Sequence, residues 1–343
     1  NRHRRHVRLI VPGEHTRTEE VGEFGKIYYV QAGHSPVFDK RYRVLWPWRT
    51  YIFDQSPIKR ILREEKPDLV EIGEKYTLSL MAGLLRKGIM NVSQTRPMLV
   101  HFSCERMDDN VAAFISDGRA TRRLTQAYIR NYLFPMFDFH LTNSEYTAGE
   151  LREASSKAAA GPLKNFFWRM MRSPKAPAPE RVFVNQCGVD LESFSIDRKS
   201  PDERSRICRE NGIPESAKLL LYAGRISPEK NVALLPSIVR ELSRHGDLDF
   251  RLLVAGAGPE SAKLAAECES AATGKVVMLG HLNDTGRLSD LFANCDAFVH
   301  PNPREPFGIT PLEAMASGLP VVAPNSGGIL SYANQDNAWL REP

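Results

Sequence analysis

The sequence predicts an α/β protein built from two doubly wound, Rossmann-like lobes. Three observations carry that expectation. Short apolar runs alternate with stretches of helical periodicity in both halves of the chain, the pattern of parallel strands joined by crossover helices. The length of 343 residues suits two domains of ordinary size, each with its own core. A hydrophobic content of 42% with 25% charged residues is that of a globular chain, and no apolar run reaches the length that spans a bilayer.

Taken in order, Val7 to Val11 reads as a strand ending at Pro12, and Lys26 to Gln31 as a second. The segment T-E-E-V-G-E-F-G, Thr18 to Gly25, reads as the loop between them. Ser56 to Glu65 has helical spacing with Pro57 at a first-turn position, Pro67 to Ile72 a strand entry, Tyr76 to Arg86 a helix, and Met98 to Phe102 a buried strand. Asp117 to Phe134 is a long basic amphipathic stretch. Phe137 to Asn143 is a strand whose following Ser144 caps the next helix. In the second half, strands are expected at Leu219 to Ala223, Arg251 to Ala255, Val276 to Leu279 and Ala297 to His300, with helices between them. A doubly wound domain opens with strand, glycine loop and helix. Nothing here precedes the first strand in that way and no closing helices follow Gly327-Gly328, so the chain is expected to be truncated at both ends.

The net charge of +5 hides an asymmetry: residues 1–190 hold 30 Lys and Arg against 21 Asp and Glu, and residues 191–343 hold 16 against 20. A basic half can meet nucleic acid, an anionic membrane or an acidic acceptor. Nucleic acid is set aside because no recognised binding motif or basic-aromatic alternation accompanies the charge. A membrane surface and a merely solvated basic face both fit. The start of the chain has basic residues but no apolar region of signal-peptide type. The five cysteines, Cys104, Cys187, Cys208, Cys268 and Cys295, are widely spaced and odd in number, which suggests neither a zinc site nor a disulfide framework. A cytoplasmic location follows.

The densest chemistry lies in Cys295 to Gly328, C-D-A-F-V-H-P-N-P-R-E-P-F-G-I-T-P-L-E-A-M-A-S-G-L-P-V-V-A-P-N-S-G-G. Glu305 stands just before a helix start and Glu313 within the helix. The first-turn amides of Gly308, Ile309 and Thr310, after Phe307, can face the same ligand as the two carboxylates. A helix N-terminus suits a phosphate, and a carboxylate suits paired hydroxyls because it only accepts hydrogen bonds. Phosphate plus diol is what a nucleotide sugar presents. Acidic residues favoured near a helix start by its dipole give the same pattern without a ligand.

A second constellation is G-R-I-S-P-E-K-N after Leu219 to Ala223. Arg225 and Lys230 bring two cations to one turn, Arg able to grip phosphate oxygens bidentately and Lys acting as a point charge. Their guest is a diphosphate, or else they pair on the surface with Glu229 or Glu305. Gly256-Ala257-Gly258-Pro259 lacks the third glycine of a dinucleotide fingerprint.

The block E-P-F-G-I-T-P-L-E followed by A-M-A-S-G-L-P-V-V-A resembles the E-x7-E signature of family 4 retaining, nucleotide-sugar-dependent glycosyltransferases, the group 1 glycosyltransferases of GT-B fold, and G-R-x-x-x-E-K-N resembles their second signature. The resemblance covers most of Asp68 to Gly328. It implies two lobes facing a central cleft, Glu305 beside the donor sugar, Glu313 on the ribose hydroxyls, Arg225 and Lys230 on the diphosphate, and Gly280, His281 and Leu282 near the base. R-V-F-V-N-Q-C-G-V-D-L-E-S-F, Arg181 to Phe194, resembles the family's interdomain segment. That places an acceptor-binding domain at residues 1–188 and a donor-binding domain at 189–343. His101, in H-F-S-C-E-R-M-D, matches a histidine that touches the donor sugar and phosphate. The same segment looks like H-E-R-L-D of some mannosyltransferases, with Cys104 where they have His; Glu105, Arg106 and Asp108 read alternatively as a local ion-pair network.

The expected reaction transfers a hexose, of GDP-mannose or UDP-glucose type, to a glycan or lipid-linked acceptor with retention at the anomeric carbon. Neither a cofactor nor a separate metal is implied. A related isomerase or hydrolase, or a silent nucleotide-sugar binder, would show the same donor contacts. Residues 154–180 form an insertion around K-N-F-F-W-R-M-M-R, Lys164 to Arg172. Its apolar body and cationic rim suit a peripheral anchor on an anionic membrane, and equally a short helix packed on the domain.

Overall fold

A computed structural model describes residues 4–35, 43–114, 118–156, 169–171, 178–246 and 248–343. The chain divides into two compact units: residues 1–104, 118–142 and 148–184 form the first, and residues 105–117, 143–147 and 185–343 the second.

In the first unit, β1 (Val7–Gly13), β2 (Arg17–Val21) and β3 (Gly25–Gln31) form a sheet in the order β1-β3-β2. β1 runs parallel to β3, and β2 antiparallel. The expected loop at Thr18 to Gly25 is thus corrected, since most of it is strand and hairpin turn. β2 is a wholly exposed edge strand, R-T-E-E-V, so it has no apolar alternation to reveal it. Arg17 lies 3.7 Å over the Tyr29 ring and supports it from the neighbouring strand.

A small pair, β4 (Gly33–His34) and β5 (Arg43–Val44), precedes a parallel sheet of β6 (Leu69–Ile72), β7 (Met98–Ser103), β8 (Phe139–Thr142) and β9 (Val182–Val184) in that order. The helix Leu78–Arg86 enters this layer through Glu74, whose carboxylate accepts from the amides of Tyr76, Thr77 and Leu78 at 2.7, 2.7 and 2.6 Å. Three amide donors at the entry to the helix are satisfied at once. The basic stretch expected from Asp117 is helical over Arg119–Tyr128 and passes through a π-turn at Ile129–Leu133 before Phe134–Met136. Pro135 explains the change of pitch: it has no amide to donate, and its ring crowds the carbonyl one turn back. Ser144 caps the helix Glu145–Ser156, its Oγ accepting from the Thr147 amide at 3.1 Å.

The second unit holds a six-stranded parallel sheet: β10 (Lys218–Ala223), β11 (Phe250–Ala255), β12 (Val276–Gly280), β13 (Ala297–Val299), β14 (Val321–Pro324) and β15 (Trp339–Arg341). Their order is β12-β11-β10-β13-β14-β15. Alternation splits β10 between two cores, because successive side chains leave opposite faces of a strand. Leu219, Leu221 and Ala223 join a cluster with Ile207, Phe292 and Ala314 from three helices. Tyr222 joins another with Leu235, Val239 and Leu264 from two others. Both faces are covered, which is why these strands read as continuous apolar runs.

Two glycines let the strand ends close up. A Cβ on Gly256 would stand 1.8 Å from the Gly224 carbonyl oxygen, and one on Gly258 1.8 Å from that of Ile226. The G-A-G-P segment therefore serves close packing of one backbone on another. No helix among the described residues is long and apolar enough to cross a membrane. Of Lys164 to Arg172, residues 164–168 and 172 lie outside the described residues.

Candidate functional site

Strand order sets the location. Counting from β10, the sheet runs third, second, first, fourth, fifth, sixth, so the direction of winding reverses between β10 and β13. In open parallel sheets the crevice beyond the carboxyl ends at that reversal is where ligands bind. Both segments singled out in the sequence, Gly224 to Asn231 after β10 and His300 to Thr310 after β13, emerge there.

Past β10, the Tyr222 hydroxyl donates to the Arg225 carbonyl at 2.8 Å and fixes the turn. A 3-10 turn, Pro228–Lys230, ends at Asn231, whose left-handed φ of 52° reverses the chain. The Asn231 side-chain Nδ2 then donates to the Pro301 carbonyl at 2.9 Å, tying this turn to the loop after β13. Across that tie, Lys230 Nζ lies 2.8 and 3.0 Å from the two oxygens of Glu305. Asn302 Nδ2 donates to Glu305 Oε2 at 3.1 Å, and His300 Nε2 stands 3.9 Å from the same oxygen. Burial works to raise the Glu305 carboxyl, but Lys230, His300 and Asn302 outweigh it and hold it below its ordinary value. Arg225 Nη1 is 3.8 Å from Glu229 Oε1.

The loop carrying Glu305 is clamped from below. The Gly328 amide donates to the Glu305 carbonyl at 2.6 Å, and a Cβ on Gly328 would fall 1.8 Å from the Pro306 carbonyl oxygen. Gly308, with φ 83°, starts the helix Ile309–Ala316 in a conformation that favours glycine. Its carbonyl accepts from the Tyr332 hydroxyl, and Phe307 is buried with its ring centroid 5.2 Å from that of Tyr332. This fixes the direction of the first-turn amides at Ile309 and Thr310, which have no acceptor within the helix. Glu313 is half-buried in the same helix, and burial alone raises its carboxyl.

The structure thus gathers Arg225, Lys230, Glu305 and the Gly308 to Thr310 helix start at one sheet edge. Lys230 takes the Glu305 pairing that the sequence left open, and Arg225 approaches Glu229. Gly280, His281 and Leu282 follow β12 on the same carboxyl edge, two strands from β10, where Gly280 has φ 69° and accepts from the Gly256 amide at 2.7 Å. His101, expected at a strand end where it touches the donor sugar and phosphate, is placed differently. It belongs to the first unit, β7 runs two residues past it, and it is 0% exposed. Its Nδ1 faces Nδ1 of His140 at 3.1 Å, and burial, the neighbouring imidazole and Lys75 keep it neutral. Such a side chain, enclosed against Phe137 and His140, presents no face to a ligand. Arg106 does form the local network read as the alternative, bidentate to Asp108 at 2.9 and 2.7 Å.

Sequence reasoning missed three residues that shape this edge, His300, Asn302 and Tyr332, and gave no role to Asn231, the last residue of the G-R-x-x-x-E-K-N signature. His300 carries a usable signal, a histidine at the end of an apolar strand, the same signal that His101 carries. Tyr332 lies 24 residues beyond its partner Gly308, with no motif to join them.

The fold so defined is that of the GT-B glycosyltransferases. Sucrose-phosphate synthase from Thermosynechococcus elongatus superposes with a TM-score of 0.67 over 98% of this chain and 76% of its own, at 18% sequence identity. Residues 203–343 match the family model described as glycosyl transferases group 1. The sulfoquinovosyl transferase of Arabidopsis thaliana is 37% identical over 161 residues, 47% of this chain but only 29% of the plant protein. A GDP-mannose-dependent alpha-(1-6)-phosphatidylinositol dimannoside mannosyltransferase of Mycobacterium tuberculosis is 24% identical over 333 residues, 96% of this chain and 74% of its own length.

Proposed function

We propose that this chain is a retaining glycosyltransferase that moves a hexose from a nucleoside-diphosphate sugar to a glycan or lipid-linked acceptor. The carrying observation is the Lys230–Glu305 pair at the strand-order reversal, 2.8 Å apart and beside a helix start. In this reading Arg225 and Lys230 take the diphosphate, Glu305 the hexose hydroxyls, Glu313 the ribose diol, and the amides of Ile309 and Thr310 a phosphate oxygen. Gly280, His281 and Leu282 line the base. Residues 189–343 are then the donor domain and residues 1–188 the acceptor domain.

Catalysis consists of positioning and charge stabilisation. The bond between the anomeric carbon and the diphosphate oxygen breaks as the acceptor hydroxyl oxygen bonds that carbon on the same face, its proton passing to the departing diphosphate, whose remaining charge is met by the two cations and the helix amides. These cations do without a separate metal what a metal would otherwise do at the leaving group. The name of the mycobacterial relative, which includes GDP-mannose, supports a nucleotide-sugar donor. Peripheral attachment to a cytoplasmic anionic membrane through Lys164 to Arg172 belongs to the same reading, and deletion of that segment should then abolish sedimentation with anionic vesicles.

The deciding experiment is a thermal-shift panel of UDP- and GDP-sugars. A donor at a hundred times its dissociation constant stabilises by about 2.7 kcal/mol, or about 5 to 10 °C for a unit of this size. If no nucleotide sugar shifts the melting point and none is turned over with any acceptor, the reading is wrong.

A further inference from the structure

His300 is a side chain of this edge that neither the signatures nor the reaction above uses. It leaves β13 directly into the loop of Glu305 and is only 7% exposed. Its Nε2 is buried and has no hydrogen-bond partner. That nitrogen stands 3.9 Å from Glu305 Oε2, about 0.7 Å beyond hydrogen-bond reach. An imidazole nitrogen buried without a partner is destabilising, so its position needs a reason.

Lys230 supplies one. It holds both Glu305 oxygens in the structure, yet under the proposed function, on which this inference rests, the same ammonium is wanted by the donor diphosphate. One cation cannot serve both at full strength. When Lys230 turns away, a carboxylate that is itself 7% exposed keeps only Asn302. Burying a charge with too few partners is costly.

We propose that His300 is a positioning residue, whose Nε2–H closes onto Glu305 Oε2 as Lys230 is drawn to the diphosphate, holding the carboxylate aimed at the donor sugar. The charged groups whose fields reach His300 are Glu305 from its own loop and Lys230 from the turn after β10. Burial first pushes the imidazole down to about 4, with Lys230 adding to it and Glu305 and a backbone hydrogen bond at Asn302 opposing it, so at neutral pH it is uncharged while Lys230 stays paired with Glu305. Tyr222 and Tyr332 also feel the Glu305 charge, and burial raises both phenols, so neither competes as a base.

The test compares His300→Gln, whose amide can still reach Glu305, with His300→Asn, whose amide cannot, and with His300→Leu, which has none. UDP-glucose and GDP-mannose serve as the probes, with kcat, donor KM and melting point measured for each protein. The expected result is a kcat about tenfold or more below wild type for Asn and Leu, donor KM within about threefold, and most of the rate retained by Gln. Should the Leu protein fail to fold, the Gln and Asn pair decides alone, since the two differ only in reach. Equal turnover by Asn and Gln overturns the proposal, as does a parallel loss of kcat, donor affinity and melting point in both, which would mean packing only. A wild-type chain that neither binds nor turns over any nucleotide sugar would instead defeat the glycosyltransferase reading itself, a distinguishable outcome.

Discussion

Lys230 and Glu305 are 75 residues apart in sequence, and their side chains meet at 2.8 Å because β10 and β13 are neighbours in the sheet. The carboxylate side is 9% exposed and the ammonium side 31%. Removing the cation strands a nearly enclosed charge. Lys230→Ala should therefore cost about 1.5 to 3 kcal/mol, read as a loss of about 3 to 10 °C in melting point. Glu305→Gln added to it should return part of that loss. Additive losses in the double-mutant cycle would mean that the two side chains do not interact.

Arg225 carries a prediction about rate. If its guanidinium meets charge that grows on the leaving diphosphate, Arg225→Ala loses one charge-assisted contact of about 1.5 to 3 kcal/mol. That corresponds to a fall of about ten- to a hundredfold in donor turnover, with the melting point little changed. Steady-state kinetics with saturating acceptor would show it, and full activity would remove Arg225 from the site.

The glycine contacts make a prediction about shape. Gly258→Ala and Gly328→Ala place a methyl within 1.8 Å of a carbonyl oxygen of Ile226 and Pro306, respectively. Each should destabilise the second unit by at least about 2 kcal/mol in urea unfolding. Gly246 has nothing within 4 Å of its would-be Cβ, so Gly246→Ala should stay within about 0.5 kcal/mol. Equal effects at the three positions would discount the close approaches.

Acid should act on the histidines before the carboxylates. Burial holds His300 down to about 4 and His140 down to about 3, each from an ordinary 6.5, and lowers His101 as well. Below the ordinary value the unfolded chain binds protons that the folded chain refuses, so stability falls as pH falls through this window. Glu305 and Asp138 have lowered carboxyls, and the stability they contribute is present above the ordinary carboxylate range and lost only below it. Melting points taken from about pH 7.5 to 4.5 should decline from about pH 6.5 onward. A flat profile down to about pH 5 would mean that these histidines already share protons with solvent.

Much of this was legible in the chain itself. Parallel strands buried on both faces must be continuously apolar, which is why β10, β11 and β12 stood out while the charged edge strand β2 did not. The two signatures marked Arg225, Lys230, Glu305 and Gly308 because each lies in a local segment whose order is its geometry. Partner choice was not local. Whether Lys230 met Glu305 or solvent, whether His101 or His300 stood beside Glu305, and what filled the space beside Gly308 depended on strand order and on depth of burial. A sequence states which groups are available along one dimension. Desolvation and contact distance are set only when the sheet brings β10 against β13, and these decide that a carboxylate stays charged, that an imidazole stays neutral, and which of two cations stands beside Glu305.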